Sequence, residues 1–302
     1  MMRPSKTEKS ERMPLPSTSK SFAAYSSRQE SRDHVPGLWD HRDRLIILAL
    51  TLLCAFTRLY RIGRANKAQW DESHFGKFGA LYVNRTFYHD VHPPAAKLLV
   101  ALSEVLAGHN GTFNFKGEYP PYVNYVFMRM FNAAFGITLA PLAYLTCRQL
   151  RMPVGFAAMA GLFVTMDNAL CVISRFILLD APLLAFTAFA LMMLACFYRQ
   201  RRQAFSAGWW RFLLMTGVSL GLVASAKWVG MFAVALVGAY TIYELYEMFC
   251  DTHVPVHVYL KHWAARIVAL IVIPLSIYML TFKIHFMVLN RYNNSANFMP
   301  MG

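Results

Sequence analysis

Residues 154–198 read VGFAAMAGLFVTMDNALCVISRFILLDAPLLAFTAFALMMLACFY, and Asp167, Arg175 and Asp180 are the only charged residues among them. A membrane-spanning helix takes about 20 mostly apolar residues, so this run is too long for one crossing. The three charges cluster near its middle. The stretch therefore predicts two membrane-spanning helices joined by a tight polar turn.

The same length rule predicts five further spans in the rest of the chain. They are a short first span at Leu45–Leu59, a second from after Tyr122 to about Cys147, a fifth and a sixth in Phe212–Phe249 divided at Lys227, and a seventh at about 264–281. Helices are expected because backbone polar groups in lipid must be hydrogen-bonded within the segment. We predict an all-α integral membrane protein whose embedded domain covers residues 45–286.

Composition agrees with a membrane protein, since 56% of the 302 residues are hydrophobic and only 15% are charged. The net charge of +14 does not form one stripe, and no nucleic-acid-binding motif is present, so no nucleic-acid partner is expected. The five cysteines lie in or beside apolar runs, and the loop at 61–123 has none. No disulfide framework or cysteine metal cluster follows from this spacing.

The positions of Lys and Arg predict the orientation, because these residues mark the cytoplasmic side of short loops. Seven spans put the N-terminal tail, residues 148–151 and residues 199–211 on one side. The tail at 1–44 is Ser-, Pro- and charge-rich and is expected to be disordered in the cytoplasm, with the first span acting as the membrane signal. The loop at 61–123 and a tail at 287–302 then face the lumen, as do the glycosylation sequons at Asn84, Asn110 and Asn293.

Two adjacent carboxylates, Asp71 and Glu72, follow the first span within AQWDESHFGKFG. Adjacent side chains diverge on a helix or strand, so we do not expect a face-to-face acid/base pair. We expect one carboxylate to take a proton from a hydroxyl while the other binds or orients groups nearby. The alternative is a solvated loop or a pair at a helix N-cap.

The segment FYHDVHPPAAKLL brings His89, Asp90, His92 and Lys97 together around a Pro-Pro turn. Two prolines suit the start of a helix, and the apolar sequence after them predicts a short amphipathic helix lying on the membrane. The His and Asp residues could form a metal site, but no further ligand pattern supports one. We predict a structural polar cluster and no metal.

Four cations fall near one membrane level in this topology: Lys97, Arg129, Arg175 and Lys227. Ionisable residues in or beside spans are costly and are functional candidates by default. A cluster of cations at that level suits the phosphate of a lipid-linked substrate. The alternative is that they snorkel to the surface or pair with Asp167 and Asp180.

Five phrases, DESHFGKFG, FYHDVHPPAAKLL, HNGTFNF, SRFILLDAPL and SAKWVG, resemble the protein O-mannosyltransferase family, most closely its second animal subunit type. The resemblance covers nearly everything after residue 44. It implies a GT-C glycosyltransferase fold with surface helices in the first lumenal loop. It also implies transfer of mannose, with inversion, from dolichyl phosphate mannose to Ser or Thr hydroxyls of secretory-pathway proteins.

The resemblance also implies roles for particular residues. Asp71 would be the general base and Glu72 would orient the substrates. Arg58 and Arg129 match two functional arginines of the family, Arg129 as a phosphate contact and Arg58 as structural support. We assign supporting roles to His92 and Asp180 as well.

Family members form pairs in the endoplasmic reticulum membrane, so the resemblance predicts a hetero-oligomer with a first-type subunit. No cofactor is expected, and dependence on a divalent cation stays open. Family members continue into MIR repeats and further spans that this sequence lacks. One alternative is therefore a truncated, catalytically silent partner subunit or fragment. A lipid transporter is a more remote alternative, because the charges lie near one surface rather than at the midplane.

Overall fold

The computed structural model describes residues 40–292 of the chain. Asn293 and most of the tails predicted at 1–44 and 287–302 lie outside this range. Within this range, the residues from Arg42 onward form one compact unit. The described part is helical, and its only β contacts are two isolated bridges, Lys67 with Glu118 and Thr86 with Arg291.

Twelve α-helices make up the described part of the chain. They are α1 His41–Leu59, α2 Glu72–Val83, α3 Ala95–Leu106, α4 Tyr125–Ile137, α5 Leu139–Gln149, α6 Val154–Met166, α7 Asn168–Ser174, α8 Asp180–Arg199, α9 Ala207–Ala226, α10 Met231–Cys250, α11 Val256–Ile267 and α12 Ile273–Val288. A short 3-10 turn at Trp228–Gly230 precedes α10, and a π-helical segment at Val268–Val272 joins α11 to α12.

Five helical stretches of the described chain are long and apolar enough to cross a membrane. They are Tyr125–Gln149, Asp180–Arg199, Ala207–Ala226, Trp228–Cys250 and Val256–Val288. A sixth candidate is the pair α6 and α7, which is bent by 57°. These match the predicted second to seventh spans. The predicted first span is α1, whose 19 residues include four charged ones and which is not among the apolar candidates. The count of seven spans therefore stays a prediction.

The turn predicted at 167–180 contains the short helix α7. Asp167 caps this helix, and its Oδ1 accepts a hydrogen bond of 2.7 Å from the backbone N–H of Leu170. A carboxylate in this position satisfies a helix N–H that has no partner within the helix. Asp167 thus has a local structural role in the bend.

The start of α1 is anchored inside the bundle, and the helix begins at His41, before the predicted apolar span at Leu45–Leu59. Asp43 is buried and pairs with Arg148 at 2.9 Å, and it also accepts a hydrogen bond from the Tyr144 hydroxyl. A buried carboxylate needs such partners because desolvation is costly. The pair holds the first turn of α1 against the end of α5.

Two glycines let α9 approach the last helical stretch closely. A Cβ added to Gly217 would lie 1.8 Å from the backbone oxygen of Ala269, and one added to Gly221 would lie 2.9 Å from Cβ of Ile277. Small residues four apart allow this kind of backbone contact between membrane helices. The packing of α9 on 268–288 therefore depends on these two positions.

The loop at 61–123 is folded around an aromatic core that α2 and α3 share. Phe75, Phe78, Tyr88, Phe115 and Tyr119 are all buried in it. The helix predicted after the prolines is α3, which begins at Ala95. Its other face exposes Leu102, Val105 and Leu106, as an amphipathic helix requires, while its position on a membrane stays a prediction.

Two of the hydrogen bonds that attach the folded loop to the spans join residues distant in sequence. The Trp228 indole donates a hydrogen bond of 2.7 Å to the carbonyl of Val91. The Tyr82 hydroxyl lies 2.6 Å from Nδ1 of His285 on α12. The loop is thereby fixed against the ends of α9, α10 and α12.

Candidate active site

Asp71 stands at the N-cap of α2 with its side chain exposed. Its carboxylate has no hydrogen-bond or ion-pair partner within residues 40–292. Its backbone oxygen accepts hydrogen bonds from the N–H groups of His74 and Phe75, so the main chain at this position is fixed. The structure therefore presents an unpartnered carboxylate on a rigid support.

Glu72 is fully buried directly beside it. Its two oxygens accept hydrogen bonds from the Arg129 guanidinium at 2.7 and 2.6 Å, and from the backbone N–H groups of Gln69 and Ile177 at 2.9 and 3.0 Å. The Tyr119 hydroxyl lies 3.5 Å away. The two carboxylates diverge, as the sequence predicts, and Glu72 joins α2, α4 and the segment before α8.

Arg129 is also fully buried, and all five of its N–H donors are used. Nε and one N–H of Nη2 go to Glu72, while the others go to the backbone oxygens of Ile62, Ala65 and Lys67. A guanidinium has no further donor to offer. The phosphate contact expected for Arg129 would require breaking these bonds, so the geometry favours a structural role instead.

Lys97 is buried as well, and its ammonium group is paired. Nζ donates to Oδ2 of Asp90 at 2.8 Å and to the carbonyl of His92 at 2.7 Å. Burial lowers the pKa of Lys97, which its bonds to Asp90 partly offset. Burial would raise the pKa of Asp90, but the contacts with Lys97 outweigh it and lower that pKa. Lys97 thus stabilises the turn at Pro93, and its ammonium group is not free to bind an anion.

His92 supplies its carbonyl to this cluster, while its Nδ1 is buried without a partner in the described chain. Burial lowers the pKa of His92. Within residues 40–292 no group of three His, Cys, Asp or Glu side chains is arranged to hold a metal ion. The contacts of Lys97 with Asp90 and with the His92 carbonyl fit a structural cluster, and the expected absence of a metal stays a prediction.

Lys227 and Asp180 pair across the two turns that lead into α10 and α8. Their Nζ–Oδ1 distance is 3.0 Å, and the side chains are 22% and 30% exposed. This single hydrogen bond to protein leaves N–H donors of Lys227 available. Of the four predicted phosphate contacts, Lys227 is thus more accessible than Arg129 or Lys97.

Arg175 and Arg58 support helix ends. Arg175 donates to the carbonyls of Thr57, Arg58 and Tyr60 at the end of α1. Arg58 is buried and donates to the carbonyls of Val164 and Thr165 in α6. Cations suit these positions because the last carbonyls of a helix lack intrahelical partners. This geometry fits the supporting role expected for Arg58.

Two further arginines, Arg61 and Arg64, line a cavity together with Arg175. Sequence reasoning missed them, although the phrase RIGR directly after the first span carries both. A charge pattern in sequence does not show whether a carboxylate lies nearby. The structure shows that none lines this cavity within the described chain.

The two sequons that the structure describes differ in exposure. Nδ2 of Asn84 donates a hydrogen bond of 2.7 Å to the carbonyl of Gly111, and the side chain is half-buried. Asn110 is exposed, and its Oδ1 accepts hydrogen bonds from the N–H and the hydroxyl of Thr112. Asn110 is therefore the more accessible acceptor.

Comparison with known proteins gives consistent results. The family model described as "PMT: Dolichyl-phosphate-mannose-protein mannosyltransferase" matches residues 48–290. Dolichyl-phosphate-mannose--protein mannosyltransferase 3 of Saccharomyces cerevisiae is 45% identical over 267 residues, which cover 86% of this chain and 35% of the relative. Protein O-mannosyl-transferase 2 of Danio rerio is 37% identical over 269 residues, which cover 88% of this chain and 36% of the relative.

A solved structure shares the fold. It is the S. cerevisiae protein O-mannosyltransferase Pmt1-Pmt2 complex bound to the sugar donor, with a TM-score of 0.84 and 32% identity over 91% of this chain and 37% of that chain. The likeness confirms the predicted multi-span helical bundle of the GT-C type. This chain spans about a third of the length of the curated relatives it matches.

Proposed function

Because this chain belongs to the dolichyl-phosphate-mannose-protein mannosyltransferase family, we propose that it carries the transfer centre of a protein O-mannosyltransferase. The donor is dolichyl phosphate mannose, and the acceptors are Ser and Thr hydroxyls of secretory-pathway proteins. The names of the relatives support the reaction, and the solved relative is bound to the sugar donor. The observation that carries the proposal is the free Asp71 carboxylate beside a fully bonded Glu72.

Asp71 is the general base in this proposal. The acceptor oxygen attacks the anomeric carbon of mannose while its proton passes to the Asp71 carboxylate. The bond from that carbon to the phosphate oxygen breaks, and dolichyl phosphate leaves with the electron pair. Attack opposite the leaving phosphate inverts the anomeric centre. Glu72 acts as a positioning residue, because its bonds to Arg129 and to the backbone fix the start of α2.

Lys227 and Arg175 are the better phosphate contacts among the four cations of the sequence prediction. Both keep N–H donors that no protein group in the described chain uses, whereas Arg129 has none left and Lys97 is buried in its pair with Asp90. A cation near the leaving phosphate stabilises the charge that develops there. Asp180 positions Lys227 through the 3.0 Å pair.

The setting of the reaction is also a proposal. The chain is placed in the endoplasmic reticulum membrane with its N-terminus in the cytoplasm and Asp71 on the lumenal side. A first-type subunit of the family is the proposed partner, supported by the two-component complex named for the solved relative. We propose that no cofactor is required, because lysine and arginine side chains can neutralise the negative charge of the phosphate without a metal.

The experiment is mannose transfer in microsomes that contain this chain and a co-expressed first-type subunit. Dolichyl phosphate mannose is the donor, and a Ser/Thr-rich peptide is the acceptor. We expect Asp71→Asn to reduce transfer to the background of the partner alone while leaving membrane insertion unchanged. Glu118→Gln is the matched control, because Glu118 is another exposed carboxylate of the same loop.

If the Asp71→Asn variant transferred mannose at the rate of the control variant, Asp71 could not be the general base. Absence of transfer from the unchanged chain would favour the second candidate, a catalytically silent partner subunit. A partner role is supported by the two-component complex named for the solved relative. Co-purification with the first-type subunit, without turnover, is the result it predicts.

A further inference from the structure

A cavity of about 610 Å³ opens between the end of α1 and the short helix α7. Arg61 and Arg64 form one side of it, and Arg175 lies on the other with Val172 and Phe176. The side chains of Asp71, Glu72 and Lys227 do not line it. The cavity therefore shares Arg175 with the proposed phosphate contacts of the transfer centre, but it includes neither carboxylate nor Lys227.

Its charge is unbalanced. Three arginines line the cavity, and its lining within the described chain includes no acidic residue. Neither Arg61 nor Arg64 forms an ion pair with any residue between 40 and 292, although Arg61 lies 5.5 Å from the centre of the Tyr60 ring. Cations gathered in a cleft raise the local concentration of anions. The charge of the cavity therefore suits a negatively charged group.

The guanidinium of Arg175 is fixed in position and keeps free N–H donors for such a group. Both hydrogens of Nη1 and one of Nη2 go to carbonyls at the end of α1. Nε and the other hydrogen of Nη2 are left without a partner among the described residues. A guanidinium fixed in this way loses little side-chain freedom when it binds a phosphate.

The backbone at Arg61 has an unusual conformation. Its φ of 52° lies in the left-handed region, which arginine rarely adopts. Strain of this kind persists where the surrounding structure enforces it, and it is concentrated at binding sites. Arg61 and Arg64 lie beside the same cavity.

The rest of the cavity suits a lipid. Ile62, Val172 and Phe176 give it an apolar wall, and the cavity lies where α1 ends and the loop begins. Tyr60 and Trp70 are 55% and 65% exposed at this level, as aromatic residues are at membrane–water interfaces. A cationic site at such an interface can bind anionic lipid headgroups.

We infer that the cavity lined by Arg61, Arg64 and Arg175 binds the phosphate group of a membrane lipid, with the lipid chain against the apolar wall. The inference does not require the transfer chemistry of Asp71. The lipid is either a phospholipid of the surrounding membrane or the phosphorylated isoprenoid carrier. Both present the same phosphate to the three arginines, and Phe176, which lies 5.6 Å from the Trp70 ring, connects the cavity to the start of α2.

The test is a binding titration on the purified full chain in detergent micelles. Dioctanoyl phosphatidic acid is the probe, and dioctanoylglycerol is the phosphate-free comparison. We expect the Arg61→Gln/Arg64→Gln variant to bind the probe at least about tenfold more weakly, because hydrogen bonds to charged groups are strong. Arg175 is left unchanged, since its bonds to α1 serve the fold.

Lys77→Gln/Lys116→Gln is the matched control, because it removes two exposed charges from the same loop away from the cavity. We expect the control and the Asp71→Asn variant to bind as the unchanged chain does. Arg61→Lys/Arg64→Lys should recover part of the affinity. Equal binding by the double glutamine variant and the control would overturn the inference. Equally tight binding of dioctanoylglycerol would overturn it too.

Competition then identifies the source of the phosphate. Displacement of phosphatidic acid by dolichyl phosphate, lost in the double glutamine variant, would support the carrier lipid as the occupant. Retention of phosphatidic acid in the presence of dolichyl phosphate would support a membrane phospholipid.

Discussion

Glu72 and Arg129 form a two-fold hydrogen-bonded ion pair in which neither side chain is exposed to solvent. Arg129 also binds three backbone carbonyls between residues 62 and 67. The pair therefore fixes the path of the chain from the end of α1 to the start of α2. Because Asp71 directly precedes Glu72 in the chain, the pair also fixes the position of Asp71.

Glu72→Gln should destabilise the folded chain by about 3–5 kcal/mol, because it leaves the Arg129 charge buried without its counter-ion. Thermal unfolding in detergent, followed by tryptophan fluorescence, measures this. Asp71→Asn is the control and should unfold near the temperature of the unchanged chain. If both variants unfolded alike, Glu72 would not be the anchor.

Gly217→Ala should destabilise the bundle by about 1–3 kcal/mol, the usual cost of overpacking a close contact. The added methyl group would meet the backbone oxygen of Ala269, which cannot rotate away. Gly238→Ala is the matched control, because nothing lies within 4 Å of its Cβ position. It should be neutral or slightly stabilising, since alanine favours helix over glycine. Equal unfolding temperatures for the two variants would show that α9 does not pack as described.

Stability should fall as the pH rises from about 5 to 7 because of Glu104. Burial raises the pKa of this carboxyl to about 7, although its hydrogen bond to His109 opposes the shift. Between its ordinary pKa of 4.5 and this value, the folded chain holds a proton that the unfolded chain has released. The contribution is therefore complete below pH 4.5 and is lost on the way to pH 7, amounting to about 3 kcal/mol.

Glu104→Gln should reduce that pH dependence, since a glutamine stays neutral throughout the range. Urea unfolding of both forms at pH 5 and pH 7 measures the difference. An equal loss of unfolding free energy between pH 5 and pH 7 in the two forms would exclude Glu104 as the source of the pH dependence.

An N-linked glycan is expected at Asn110 and not at Asn84 when the chain is made in microsomes. A sugar on Nδ2 of Asn84 would have to pass Gly111, whose Cβ position lies 2.8 Å from the Asn84 amide. Asn110→Gln should abolish the mass shift removed by endoglycosidase, while Asn84→Gln should leave it. Modification of Asn84 alone would contradict the packing seen here. A glycan on neither residue would count against the lumenal position of the loop.

Features that depend on local sequence could be predicted. The apolar runs predicted the long apolar stretches from Tyr125 onward, although not the short helix α7 or the start of α11 at Val256. Pro93 and Pro94 predicted the start of α3. The divergence of Asp71 and Glu72 follows from the geometry of adjacent residues. Each of these rests on interactions within a few positions along the chain.

Features that depend on distant contacts could not be predicted. Arg129 lies 57 positions from Glu72. No local sequence pattern shows that the N–H donors of Arg129 are taken up by Glu72 and by backbone carbonyls. The sequence likewise could not show that Arg61 and Arg64 share a cavity with Arg175, more than 100 positions away. Hydrogen bonds from Cys171 and Arg175 to carbonyls at the end of α1 hold these segments together.

The bond between Tyr82 and His285 joins residues 203 positions apart, and so it joins parts of the chain that are made at different times. At typical synthesis rates of about 5–20 residues per second, roughly 10–40 s pass between the two. During that interval α2 and the aromatic core around it have no attachment to α12. In a newly made chain the loop can therefore be held only by its earlier contacts, such as those with Arg129 and Trp228, until α12 has been synthesised.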